Sequence, residues 1–118
     1  MNIIWSDKID NILKVGFPLN SIGINNWALS KKDALNALSK FEEFKIPILG
    51  GDVYMLNEGE IQSTYDNWYS EQAHNEPNSE FISRSNKEAK KYIENYRISN
   101  PDRIFFAFVP GNHKYSFQ

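Results

Sequence analysis

The chain has no cysteine among its 118 residues. That absence removes disulfides, thiolate nucleophiles and Cys-based metal sites together, and it fits a reducing compartment such as the cytoplasm. Histidine is scarce as well. His74 and His113 are the only two, and neither has the HExxH or His-x-x-x-His spacing that sets two ligands on one helix face. No apolar run approaches the roughly 20 residues needed to cross a bilayer; the longest, Ile104 to Pro110, is strand-sized. The first residues, Met1 to Asp7, lack a basic region followed by an apolar run, so no signal peptide is expected. The pair Gly50-Gly51 stands outside any GxxxxGK[ST] or GxGxxG spacing, and no serine lies in a GxSxG elbow. These gaps leave no catalytic residue, cofactor site or metal site to expect.

Cations are missing from the middle of the chain. From Glu42 to Glu80 nine acids (Glu42, Glu43, Asp52, Glu58, Glu60, Asp66, Glu71, Glu76, Glu80) meet one base, Lys45, while the formal net charge of the whole chain is only −2. Nucleic-acid binders concentrate positive charge, so this pattern argues against that class. An acidic middle suits a basic partner surface. Solvated acids that merely keep a hairpin soluble produce the same pattern.

What the chain has in plenty is large apolar side chains. Hydrophobic residues make up 41%, with 3 Trp, 6 Tyr and 8 Phe. Burying them offsets the entropy of folding, and the length suits one domain over residues 1–118 with a real core. The expected class is α+β: a small antiparallel sheet, made of a hairpin plus a C-terminal strand, packed with about three helices.

The pattern predicts a first helix from Ile3 to Val15, stopped by Gly16 and Pro18. A loop or short extended piece with Ile22, Ile24 and Trp27 follows. Ser30 is a natural N-cap with Asp33 three residues on, and Ala34, Leu35, Leu38 and Phe41 mark one face of a second helix that Pro47 forbids from continuing. Ile48 to Leu56 and Ile61 to Tyr69 read as a hairpin around Asn57-Glu58-Gly59-Glu60. Pairing Leu56 with Ile61 sets Tyr54 opposite Ser63, Asp52 opposite Tyr65 and Gly51 opposite Asp66. Alternation then assigns Leu49, Val53, Met55 and Trp68 to the core face, with Ile48, Asp52, Tyr54 and Tyr65 on the other. A third helix is predicted from Asn78 or Ser79 to about Tyr96, burying Phe81, Ile82, Ala89, Tyr92, Ile93 and Tyr96. After the turn at Asn100-Pro101-Asp102, Arg103 to Val109 is apolar toward both faces. Such a strand is expected inside the sheet, antiparallel to Ile48–Leu56.

Candidate chemistry gathers on the hairpin. Asp52 and Asp66 lie near one another across it, as an acid/base or metal-ligating pair would. In the register above, however, they point to opposite faces, and Asp52 has a structural alternative in capping backbone amides freed by the Gly50-Gly51 kink. Strand alternation cannot bury all of Tyr65, Trp68 and Tyr69 in the run Tyr65-Asp66-Asn67-Trp68-Tyr69. Tyrosine and tryptophan at an acid-rimmed, exposed site are the usual anchors of protein interfaces. Half-buried sheet residues whose polar tips reach water would look the same. The candidate partner-binding set is therefore Asp52, Tyr54, Glu58, Glu60, Tyr65, Asp66, Asn67, Trp68 and Tyr69. A small enzyme or a small-ligand module using the Asp52, Tyr54 and Tyr65 face is the alternative.

Three stretches give the chain a resemblance: Trp27-Ala28-Leu29 followed by Asp33-Ala34-Leu35, the run Ile46-Pro47-Ile48-Leu49-Gly50-Gly51-Asp52-Val53-Tyr54, and Tyr65-Asp66-Asn67-Trp68-Tyr69. Together, over roughly Ile22 to Pro110, they resemble the Immunity protein 40 family of bacterial polymorphic-toxin systems. The resemblance implies a small α+β protein, encoded beside a toxin, that protects the producing cell and its kin by binding the cognate toxin domain. It implies no cofactor and no catalytic residue; composition and charge pattern, for their part, lead to the expectation of a cytoplasmic location and of neither nucleic-acid nor membrane partners.

Overall fold

The structure, a computed structural model, describes residues 3–98 and 100–111. It has three helices and two small antiparallel sheets. In chain order the elements are α1 (Asp7–Leu13), β1 (Phe17–Pro18), β2 (Trp27–Ala28), α2 (Lys31–Glu43), β3 (Ile48–Asn57), β4 (Glu60–Tyr69), α3 (Asn78–Asn95) and β5 (Ile104–Pro110). Single 3-10 turns at Asn20–Ile22 and Pro101–Arg103 complete the set. The α+β class read from the sequence is the one observed.

Capping chemistry fixes the helix starts. Ser30 Oγ accepts the Asp33 N–H at 3.2 Å, as its position before α2 predicts. The first helix is shorter than the predicted Ile3–Val15. Ser6 caps it through the Ile9 N–H, and the Asp10 carboxylate accepts the N–H groups of Ile4 and Trp5 at 2.8 and 2.9 Å. Those two bonds fold the preceding segment back and satisfy its amides outside a helix. The helix α3 begins at Asn78 as expected. Its inner face also carries two buried polar residues, which apolar periodicity does not reveal. Ser85 Oγ accepts the Ile48 N–H at 3.0 Å, and Asn86 Nδ2 donates to the carbonyls of Ile46 and Ile82. Together they lock the start of β3 onto α3.

The larger sheet has the order β4-β3-β5, with β3 in the centre. The C-terminal strand therefore lies beside β3 and antiparallel to it, as expected, but not in the middle of the sheet. Its outer edge is covered in another way: Leu29, directly after β2, exchanges two backbone hydrogen bonds of 2.7 Å with Phe106. A main core of Ile9, Leu13, Leu38, Phe41, Ile48, Val53, Ile93, Phe106 and Phe108 fills the space between this sheet and the helices. On the opposite sheet face Leu19 and Ala28, from the β1–β2 layer, bury Tyr54, Ile61 and Ala107.

This second layer corrects the predicted face assignment. Val53 is core, but Leu49 and Met55 are only half-buried, whereas Ile48 and Tyr54 are both buried. Two causes operate. The β3–β5 register slips between Ile48 and Gly50, so Ile48 turns to the same side as Val53. And Tyr54, which a sheet solvated on one face would leave half-exposed, is roofed by Leu19 and Ala28, leaving 4% of it accessible.

Candidate partner-binding surface

The β3–β4 hairpin turns through Glu58 and Gly59, both with positive φ (52° and 81°), the conformation of a two-residue hairpin loop that matches strand twist. Glu58 and Glu60 stand exposed at this tip. From there the observed pairing follows the expected one, Leu56 with Ile61 and Tyr54 with Ser63, and then departs from it. Asp52 faces Asn67, not Tyr65, and Gly51 faces Trp68, not Asp66. Two more residues lie on β4 than on β3 in this interval, so Thr64, Tyr65 and Asp66 form a bulge.

The bulge is built from side-chain hydrogen bonds to its own backbone. Ser63 Oγ accepts the Tyr65 N–H at 2.9 Å, and Thr64 Oγ1 accepts the Asp66 N–H at 3.1 Å while donating to the Val53 carbonyl at 2.9 Å. Serine and threonine favour such local bonds over a regular ladder. Tyr65 takes a left-handed conformation at φ 69° and its side chain is 88% exposed. Asp66 is tied down, accepting the Tyr96 hydroxyl of the α3 end at 2.6 Å. Burial first, and then the bond to Asp66, raise the Tyr96 phenol above its ordinary pKa.

A two-residue shift preserves the alternation of faces, so Trp68 points to the helix side as predicted. There its indole stacks on Tyr92, with ring centroids 4.6 Å apart, and meets Phe108 edge-on at 6.1 Å. The glycine opposite makes room for it: a Cβ at Gly51 would lie 2.3 Å from Trp68 Cη2 and 2.6 Å from the Ala107 carbonyl oxygen. Tyr69, the next residue, points the other way and is 78% exposed. Asp52 and Asn67 sit opposite each other on the same side as Tyr54. Partial burial raises the Asp52 carboxyl above the usual carboxylate range, and burial together with the Asp52 charge raises the Tyr54 phenol. Asp52 caps no backbone amide among the described residues, so that alternative reading of it is not realised.

The nine candidate residues thus divide. Glu58, Glu60, Tyr65, Asp66, Asn67 and Tyr69 are exposed along the tip and outer strand, and Asp52 is partly so. Tyr54 is buried under the β1–β2 layer, which withdraws it from the surface, and Trp68 is half-buried against α3. Asp66 turns to α3 and Asp52 to the Tyr54 side, so the two carboxylates do not converge. His74 is exposed in the loop after β4, and His113 lies outside the described residues. Among the described residues no group of three or more His, Asp or Glu side chains could hold a metal ion, and no helix is long and apolar enough to cross a membrane.

A groove of ≈ 910 Å³ runs beside the sheet, lined by Ile9, Phe44, Ile46, Pro47, Leu49 and Phe81 among others, with Tyr69 at its lip. Its walls come from α1, α3, the connection between α2 and β3, and the sheet, so no single stretch of sequence carries its signature.

Comparison with known proteins gives a family match. The family model described as Immunity protein 40 matches residues 18–110, most of the chain. No curated protein and no solved structure matches it.

Proposed function

Since the chain belongs to the Immunity protein 40 family, we propose that it binds and neutralises the cognate toxin domain of a bacterial polymorphic toxin, acting in the cytoplasm by occupancy and not by turnover. The family match carries this reading. The geometry supports it with a surface suited to protein contact: two tyrosines exposed by 88% and 78% on an outer strand, flanked by Glu58, Glu60 and Asp66. Exposed aromatics are the side chains that most often anchor interfaces, and acids at the rim steer a basic partner. The alternative of a small enzyme or ligand module on the Asp52, Tyr54 and Tyr65 face has less support. Tyr54 is closed off by Leu19 and Ala28, and Tyr65 stands on a bulge away from it.

The test is co-expression with the toxin domain encoded in the neighbouring gene. Soluble, abundant protein should restore growth. A cognate domain that stays fully lethal in its presence would refute the proposal.

A further inference from the structure

Among the described residues, the outer edge of β4 is the open side of the sheet. On the far side, β5 is bridged by Leu29; no described strand pairs with the outer edge of β4. The Ser70 N–H donates inward to the Leu49 carbonyl at 2.9 Å. Because inward and outward groups alternate along an antiparallel strand, the main-chain groups of Tyr69 and Asn67 face outward, and those of Trp68 face β3. Natural edges are commonly protected by lysine, proline or a bulge; β4 (EIQSTYDNWY) carries neither lysine nor proline, and its bulge ends before Asn67. Its one interruption, the bulge, uses the Tyr65 and Asp66 amides internally and leaves the stretch Asn67–Tyr69 beyond it as a short unpaired edge.

Charge selects what could pair there. Glu58, Glu60 and Asp66 stand on the tip and strand, Glu71 follows, and no Lys or Arg occurs between Lys45 and Arg84. Arg84 itself is held by Glu76 at 2.8 Å and Glu88 at 3.0 Å. A second copy of the chain laid edge to edge would set acids against acids with no cation on either strand to relieve them. An extended segment rich in lysine or arginine meets the opposite situation.

We infer that the free edge of β4 accepts a basic extended segment of the partner as an added strand, with main-chain bonds to Asn67 and Tyr69 and with Tyr65 and Tyr69 gripping its side chains. This mode of binding rests on the toxin-binding reading, but its test needs no toxin. The full-length, ¹⁵N-labelled protein is titrated with a blocked heptapeptide of alternating lysine and valine, and in parallel with the same peptide bearing glutamate for lysine. The lysine peptide should slow hydrogen exchange at the Asn67 and Tyr69 amides at least about tenfold, since strand pairing protects exposed amides, and should leave Trp68 and Ser70 as they were. It should bind at least about tenfold more tightly than the glutamate peptide at low salt, an advantage that shrinks as salt screens the charges. The double variant Glu58→Lys, Glu60→Lys should weaken that preference, with Asp66 and Glu71 keeping the remainder. Equal binding of the two peptides, no binding of either, protection confined to the Phe44 and Leu49 groove, or edge-to-edge dimers in sedimentation would each overturn the inference. Growth protection without peptide-induced exchange protection would sink strand addition alone. The reverse result would sink the toxin reading alone.

Discussion

Replacing Gly51 by alanine tests whether the Trp68 indole is clamped against the sheet as described. The added Cβ would stand 2.3 Å from Trp68 Cη2, 2.7 Å from Cζ2 and 2.6 Å from the Ala107 carbonyl oxygen. Carbon atoms pack at about 3.5–4.0 Å, so the indole must retreat by more than about 1 Å. It has nowhere to go without leaving its stack on Tyr92 at 4.6 Å and its edge contact with Phe108 at 6.1 Å. The Ala107 oxygen belongs to the backbone of β5, which cannot yield without distorting the neighbouring strand. Overpacking a tight core costs about 1–3 kcal/mol, and loss of an aromatic pair adds about 0.5–1.5 kcal/mol. The expected destabilisation is therefore about 3 kcal/mol, a large part of a total stability of about 5–15 kcal/mol, and a fall in Tm of roughly 10 °C for a chain of this length. Denaturant unfolding followed by tryptophan fluorescence and far-UV circular dichroism reads both. In a Trp68→Ala background the cost should shrink, because the indole clash is gone and only the Ala107 contact remains; the double-mutant cycle measures that coupling. A Gly51→Ala protein within about 0.5 kcal/mol of wild type, the range of an ordinary surface change, would refute the packing account.

Tyr54→Ala should destabilise by about 3–5 kcal/mol, as truncation of a buried aromatic does, whereas Tyr65→Ala should stay within about 0.5 kcal/mol of wild type; urea unfolding of both checks it. Burial raises the Asp52 carboxyl above its ordinary value, so the folded state prefers the protonated acid and wild-type stability falls as pH rises through that window. Asp52→Asn should therefore raise Tm at pH 7 and match wild type below pH 3.8, the ordinary value; a lower Tm at pH 7 would contradict the sign. Arg84 and the Ala73 amide hold the Glu76 carboxyl down at about 2, so the stability it lends is complete above pH 4.5 and lost as pH falls toward 2. Arg84→Ala should flatten the Tm profile in that window, and an unchanged profile would count against the pairing.

Much of the architecture could be read from the sequence because it rests on local signals. Ser30 caps α2, Pro47 ends its continuation, Glu58-Gly59 turns the hairpin, and the apolar stripe of α3 places Phe81, Ala89 and Ile93 inward. Regular pairing breaks at the β4 bulge, and regular alternation breaks where β3 slips against β5. Ser63, Thr64 and Asn67 form a cluster of side chains that bond nearby backbone, and Gly50-Gly51 follows the slip at Leu49. Both are signals of an irregular strand, and weighing them would have corrected the register. The roof over Tyr54 was beyond such reasoning: β1 and β2 are two residues each, too short to show a period, and they meet the sheet through Leu29, 77 positions from Phe106 in the chain. For the binding surface, the acidic stretch and the aromatic run are legible in the sequence, and alternation already turns Trp68 inward and Tyr65 outward; only the fold closes Tyr54 off under Leu19 and Ala28 and leaves Tyr69 exposed.

The central claim, that the outer strand of the hairpin is where a toxin domain binds, meets its most direct test in one affinity measurement. The purified chain and its Tyr65→Ala, Tyr69→Ala double variant are titrated calorimetrically with the cognate toxin domain, with thermal unfolding recorded on the same samples. The account predicts one-to-one binding by the wild type. It predicts a loss of about 2 kcal/mol per tyrosine, or roughly 30-fold in Kd for each, with Tm unchanged because both side chains are largely exposed. A double variant that binds within about twofold of wild type, well under 1 kcal/mol, would contradict it.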